Sequence, residues 1–200
     1  MKKIIVSALI LLVVENGFAA PKTGTMTDPR DGQSYRTVKI GNQVWMAENL
    51  NYKTTESFCY DNKSANCLKY GRLYTWDAAM RACPEGWHLP SDTEWKILVE
   101  AVGGKGVAGK KLKSTSGWDH DGNGMDKYGF SVLPAGGRYV NRYGDGLYSI
   151  AGEDANFWSS TEYDSYDAYY WDFLYDAERV RSLYNFKDVG FSVRCLRDLD

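Results

Sequence analysis

Gly190-Phe191-Ser192-Val193-Arg194-Cys195-Leu196, near the end of a 200-residue sequence, is the stretch on which the fold turns. Phe191, Val193 and Cys195 alternate with Ser192 and Arg194, the pattern of a half-buried strand with its polar side outward. Cys195 is the last of four cysteines, after Cys59, Cys67 and Cys83. An even number of cysteines in a chain with export features reads as two disulfides, with three formal connectivities. Cys59 and Cys67 bracket the polar run Tyr60-Asp61-Asn62-Lys63-Ser64-Ala65-Asn66, a locally stapled excursion, which leaves Cys83 for Cys195. The second bridge then ties the final strand to the first half of the chain. It closes a loop of more than a hundred residues, worth roughly 4–5 kcal/mol of denatured-chain entropy.

Working outward, residues 74–83 have helix composition, with Trp76, Ala79, Met80 and Cys83 at helical spacing and Pro84 as a stop. A second helix starts at Ser91-Asp92-Thr93-Glu94, a capping box, carries Trp95, Leu98, Val99 and Val102 on one face and ends at Gly103-Gly104. Earlier, residues 35–46 predict a hairpin around Gly41-Asn42, with Val38 and Ile40 sharing a face with Val44 and Met46. From Lys105 onward only short strands and turns are expected, at 130–133, 156–160, 168–175, 180–186 and 190–196. The class is therefore α+β: two helices in the first half, short twisted antiparallel strands, long loops and two disulfides.

The N-terminus reads as export. Lys2 and Lys3 precede an apolar run from Ile4 to Val14, followed by Gly17-Phe18-Ala19-Ala20, so residues 1–20 are expected to be a signal peptide too short to span a bilayer. Residues 21–34 read as an N-terminal tail and 35–200 as one domain. Removing Lys2, Lys3 and Glu15 leaves 22 basic against 25 acidic side chains, a charge of −3 that suggests no nucleic-acid partner. The mature chain is expected to be secreted or held at the cell surface, with no membrane span.

Several blocks carry a resemblance. They are Trp45-Met46-Ala47-Glu48-Asn49-Leu50-Asn51-Tyr52, Tyr70-Gly71-Arg72-Leu73-Tyr74-Thr75-Trp76, Cys83-Pro84-Glu85-Gly86-Trp87-His88-Leu89-Pro90, Tyr128-Gly129-Phe130-Ser131, Trp158-Ser159-Ser160-Thr161 and Gly190-Phe191-Ser192-Val193-Arg194-Cys195. In this order they resemble the Fibrobacter succinogenes major paralogous domain. The resemblance implies a C-type-lectin-like fold, distantly related to formylglycine-generating enzymes and to the variable proteins of diversity-generating retroelements. It implies no assigned reaction.

The candidate chemistry divides into binding surfaces and weak catalytic constellations. The aromatic-rich stretch with Tyr163, Tyr166, Tyr169, Trp171, Tyr175 and Tyr184 interleaves rings with Asp, Ser, Asn and Arg, a mixture suited to a protein or polysaccharide ligand. Strand alternation turns about half of these rings toward the core. Asp119-His120-Asp121-Gly122-Asn123-Gly124 reproduces the opening of a calcium loop, with Asp119, Asp121, Asn123 and Asp126 as oxygen donors, yet Phe130 stands where a bidentate glutamate belongs. A tight polar turn competes with that reading. No cofactor besides this calcium is suggested.

An enzyme finds little support. An oxidase of the formylglycine type needs reactive thiols in the C-terminal half, where only Cys195 lies, and Cys195 is expected to be bridged. Ser159-Ser160 lacks a nucleophile elbow, His88 reads as a structural hydrogen-bonding group, and the acids around Glu153-Asp154, Glu162 and Asp164, and Asp176 to Glu178 read as solvated surface. The expectation is a non-catalytic binding module, with a structural envelope component as the alternative.

Overall fold

The computed structural model describes residues 20–141 and 146–198, so the signal-peptide reading lies, Ala20 apart, outside the described residues. The chain runs β1 (Lys22–Thr27), β2 (Ser34–Ile40), β3 (Gln43–Met46), β4 (Ser57–Phe58), a 3-10 turn (Tyr60–Asn62), α1 (Ser64–Tyr70), β5 (Leu73–Tyr74), α2 (Trp76–Ala79) and β6 (Trp87–His88). It continues through α3 (Asp92–Ala101), α4 (Lys105–Leu112), β7 (Gly137–Val140), β8 (Gly146–Ser149), β9 (Asp154–Glu162), β10 (Asp167–Leu174), β11 (Val180–Phe186) and β12 (Leu196–Arg197). The main sheet has the order β1-β2-β3-β12-β6, and a second has the order β11-β10-β9. Their strand pairs are antiparallel, which makes the class α+β. Cys59 pairs with Cys67 and Cys83 with Cys195, as the spacing suggested.

Four α-helices stand among the described residues where two were expected. α1 begins inside the Cys59–Cys67 excursion and runs on to Tyr70, and its seven residues are too few to show a hydrophobic period. α4 was invisible because Gly106 and Gly109 lower its helix propensity. Gly109 is nonetheless required there: a Cβ would lie 2.7 Å from the Glu178 carbonyl oxygen of the neighbouring loop. The helix expected over 74–83 shrinks to α2, because Tyr74 is drawn into β5 and exchanges backbone hydrogen bonds with Phe191 at 2.8 and 3.0 Å. Thr75 then caps α2 from the N-terminal side.

The expected tail, 21–34, is also more ordered than its composition suggests, since β1 pairs with β2 over six residues. The hairpin over 35–46 forms, but its faces differ from expectation. A two-residue turn sets Ile40 opposite Gln43 and Val38 opposite Trp45. Val38 and Ile40 therefore share their face with Trp45, while Val44 and Met46 point to the other side. The stretch 130–133 forms no strand, only a bridge of Val132 to Lys113.

The largest departure concerns the opening stretch. Regular strand is confined to β12, and residues 190–195 instead thread the middle of the molecule. Phe191 bonds Tyr74, Ser192 accepts from Trp158 N–H at 3.2 Å, Val193 accepts from Leu50 N–H at 2.9 Å, and Cys195 accepts from Met46 N–H at 3.0 Å. Neighbours on every side leave no outward face, and Ser192 and Arg194 are as fully buried as Phe191 and Val193.

Two aromatic clusters pack on either side of this axis. One gathers Trp45, Trp95, Phe130, Phe157, Trp171 and Phe173; the other gathers Tyr74, Trp76, Trp158 and Phe191. Successive residues of a strand point to opposite faces, so Phe157 enters the first cluster and Trp158 the second. Burying both faces of β9 and most of β10 in this way makes the β11-β10-β9 sheet the wall between the two cores. Its free end carries the exposed rings.

Candidate functional site

The β9–β10 turn and the end of β11 present the aromatic surface. Tyr163 is 47 % exposed, Tyr184 51 % and Tyr166 74 %. The rings of Tyr163 and Tyr184 lie parallel, 3.9 Å between centroids and 3° between planes, and Tyr169 meets Tyr163 edge-on at 5.5 Å. Register explains the grouping: Tyr169 on β10 sits directly opposite Tyr184 on β11, so the two side chains share a face. The adjacent Tyr184 hydroxyl raises the Tyr163 phenol above its ordinary pKa. The turn itself is tied by its own hydrogen bonds. Asp164 Oδ1 accepts from the Tyr166 and Asp167 N–H groups at 2.8 Å each, and those bonds hold its carboxyl below the usual range.

Two of the six expected ring positions lie elsewhere. Trp171 is fully buried, stacked on Trp95 at 6.1 Å and 21°, with Nε1 donating to Asp92 Oδ1 at 3.0 Å. It cannot touch a ligand. Its place on β10 next to Phe173 in the first cluster follows from strand parity, and a strand buried on both faces offers no polar side by which the sequence could reveal this. Tyr175 is half-buried and packs against His120 at 5.1 Å, away from the Tyr163–Tyr184 pair in the fold. Conversely, Phe186 is 61 % exposed at the end of β11 and belongs to the surface, although sequence reasoning passed over it.

The Asp119 loop is wound back on its own backbone. His120, Asp121 and Asp126 take left-handed φ of 51°, 58° and 42°. Asn123 Oδ1 accepts from Trp118 N–H at 3.1 Å, and Asp126 accepts from the Ser131 N–H at 2.7 Å and hydroxyl at 2.5 Å. Among the described residues no three His, Cys, Asp or Glu side chains gather to hold a metal ion. A cation of the chain's own stands nearby: buried Lys113 donates from Nζ to the carbonyls of Leu174, Tyr175 and Ala177 at 2.9, 3.0 and 3.2 Å. Burial, then the Lys110 charge, draw its pKa down to about 8.

The acids do not all lie on the surface. Asp154 and Asp172 are buried on the face of the sheet opposite Trp171. Arg181 Nε holds Asp172 at 2.6 Å, while Asp154 has Asn156 Nδ2 on one oxygen, at 2.9 Å, and among the described residues no hydrogen-bond partner for the other. Burial, and then the Asp172 charge, push the Asp154 carboxyl up to about 7. An unfolded aspartate titrates near 3.8. The folded chain thus holds the extra proton between these values, and stability present below about 3.8 is lost as pH rises through about 7. Asp154→Asn, which keeps the neutral form at every pH, is expected to abolish a loss on the order of 4 kcal/mol. Urea midpoints of parent and variant at acid and alkaline pH check this, and parallel pH profiles would exclude it.

His88 is hydrogen-bonded through both ring nitrogens. Its Nε2 faces Glu94 Oε1 at 2.9 Å and its Nδ1 meets Asp198, so the imidazole clamps β6 and the C-terminal segment to the capping box of α3. Those two carboxylates outweigh burial and raise its pKa. Ser159 is fully buried, its Oγ accepting from Thr161 N–H at 3.1 Å, and all four cysteines are bridged.

The model of the Fibrobacter succinogenes major domain matches residues 38–197. The chain belongs to this family. No curated protein and no solved structure matches it. The match begins inside β2 and ends with β12, so the Fibrobacter succinogenes major domain contains both disulfides, the buried Arg194 and the Tyr163–Tyr184 surface. β1 lies before the matched span and extends the sheet of this Fibrobacter succinogenes major domain by one exposed edge strand.

Proposed function

We propose that this chain is an exported, non-catalytic binding module with a C-type-lectin-like fold, acting at the bacterial cell surface or in the extracellular space on a protein or polysaccharide ligand. The observation that carries the reading is the exposed, parallel Tyr163–Tyr184 pair beside a hydrogen-bonded turn. Rings held before binding lose little entropy on contact, and their hydroxyls leave polar handles at the rim. The disulfides support an oxidising compartment. With no free thiol, oxidation of the formylglycine type lacks its reactive group.

The test is retention of residues 21–200 on glycan arrays and on cell-wall and envelope protein fractions, with and without a calcium chelator. Saturable retention is expected, falling at least about tenfold in a Tyr163→Ala/Tyr184→Ala variant, as loss of one aromatic anchor of 1–2 kcal/mol implies. Failure to bind any fraction would instead favour a structural envelope component. Retention indifferent to the chelator would remove calcium from the account.

A further inference from the structure

Tyr166 and Phe186 are the two most exposed aromatic rings among the described residues, and they line one depression of about 370 Å³. Tyr166 comes from the β9–β10 turn and Phe186 from the end of β11. Glu56, Asp77 and Asp188 complete the walls, from three segments that only the fold brings together. Glu56 precedes β4, Asp77 lies in the first turn of α2, and Asp188 follows β11.

The charge of this depression is one-sided. Its single cation, Lys187, is already engaged: Nζ donates to Glu162 Oε1 at 2.8 Å and to the carbonyls of Asp164 and Ser165 at 3.0 and 3.2 Å, and lies 4.8 Å over the Trp76 ring. Glu56, Asp77 and Asp188 are exposed and make no ion pair among the described residues. Ring faces are electronegative, so two rings and three carboxylates favour the same occupant, a cation on an apolar stem. An anionic ligand is repelled. A neutral sugar could stack on the rings, but would desolvate three carboxylates without compensating their charge.

We infer that this depression docks a lysine- or arginine-bearing segment of a partner protein. The inference rests on the binding-module reading and names the partner's chemistry at a neighbouring part of the same surface.

Calorimetric titration of residues 21–200 with an arginine–glycine repeat peptide, a glutamate–glycine peptide of equal length and a cello-oligosaccharide tests it. Saturable binding of the basic peptide alone is expected. It should weaken at least about tenfold in Asp77→Asn/Asp188→Asn and in Tyr166→Ala/Phe186→Ala, and fall with added salt through screening of exposed charges. All four side chains are exposed, so unchanged thermal midpoints are expected and serve as the folding control. No binding of the basic peptide, equal binding by the variants, or preference for the oligosaccharide each overturns the inference. Envelope retention that needs Tyr163 and Tyr184 but is untouched by Asp77→Asn/Asp188→Asn overturns it too, while leaving the module reading intact.

Discussion

Replacing Arg194 with methionine is expected to abolish the folded state. Arg194 is fully buried, yet among the described residues no carboxylate pairs with it. Its Nε donates to Asn49 Oδ1 at 2.7 Å and its Nη2 to the Ser131 carbonyl at 2.8 Å. Its Nη1 donates to the carbonyls of Phe130 and, at 3.3 Å, Met46. Asn49 passes the link on, donating to the Tyr70 carbonyl at 2.8 Å. One guanidinium thus joins the hairpin, the segment after it, the 130–131 turn and the C-terminal axis. Burial draws its pKa down to about 9, which still leaves it charged at neutral pH.

Two effects compete in the methionine variant. Removing a buried charge relieves a desolvation cost, and buried ion pairs can often be replaced by apolar groups without loss. Here, however, three of the partners are backbone carbonyls that no substitution removes. Each buried acceptor left unpaired costs about 1–3 kcal/mol, and four together reach the size of a domain's whole stability, about 5–15 kcal/mol. Lysine, with three donors at one point, should recover part of the loss. Urea unfolding of the parent and both variants decides it; a methionine variant that melts cooperatively near the parent's midpoint would refute the role.

The disulfides should differ in weight by their loops. Cys83 and Cys195 are 112 residues apart and Cys59 and Cys67 only 8. In the chain-entropy account, opening the long bridge by Cys83→Ala/Cys195→Ala costs about 4–5 kcal/mol and opening the short one about 2–3 kcal/mol. Cys195 adds a second term, because it is fully buried in the cluster around Tyr74 and Phe191 and its truncation leaves a void. Comparing urea midpoints of the two double variants under oxidising conditions checks the order. An equal or larger loss from the Cys59–Cys67 pair would contradict it.

Much of the framework was legible residue by residue. Ser91 and Glu94 announced the start of α3 because a capping box is local chemistry, and the structure contains both of its hydrogen bonds. Gly41-Asn42 announced the β2–β3 hairpin, and residues 180–186 were read to the residue as β11. These signals need no knowledge of what lies across space. The same holds for cysteine pairing, where one short polar excursion left a single remaining partner.

The exposed site was legible only in part. Tyr163, Tyr166 and Tyr184 lie on the surface as the stretch suggested, while Trp171 does not and Phe186 was missed. A ring in a strand has the same local sequence whether it meets solvent or a second core, and β10 is covered on both faces for most of its length.

What the sequence by itself determined, then, is the α+β class, the family, the two disulfides and the elements with local caps and turns, because each follows from neighbours along the chain. Which residues face outward was decided only by the tertiary structure. The stretch 190–195 looks amphipathic and is wholly buried, since hydrogen bonds to Met46, Leu50, Tyr74 and Trp158 surround it with chain from four separate segments. Burial is a property of what packs from far away in sequence, and alternation records only which side a residue points to, not what waits there.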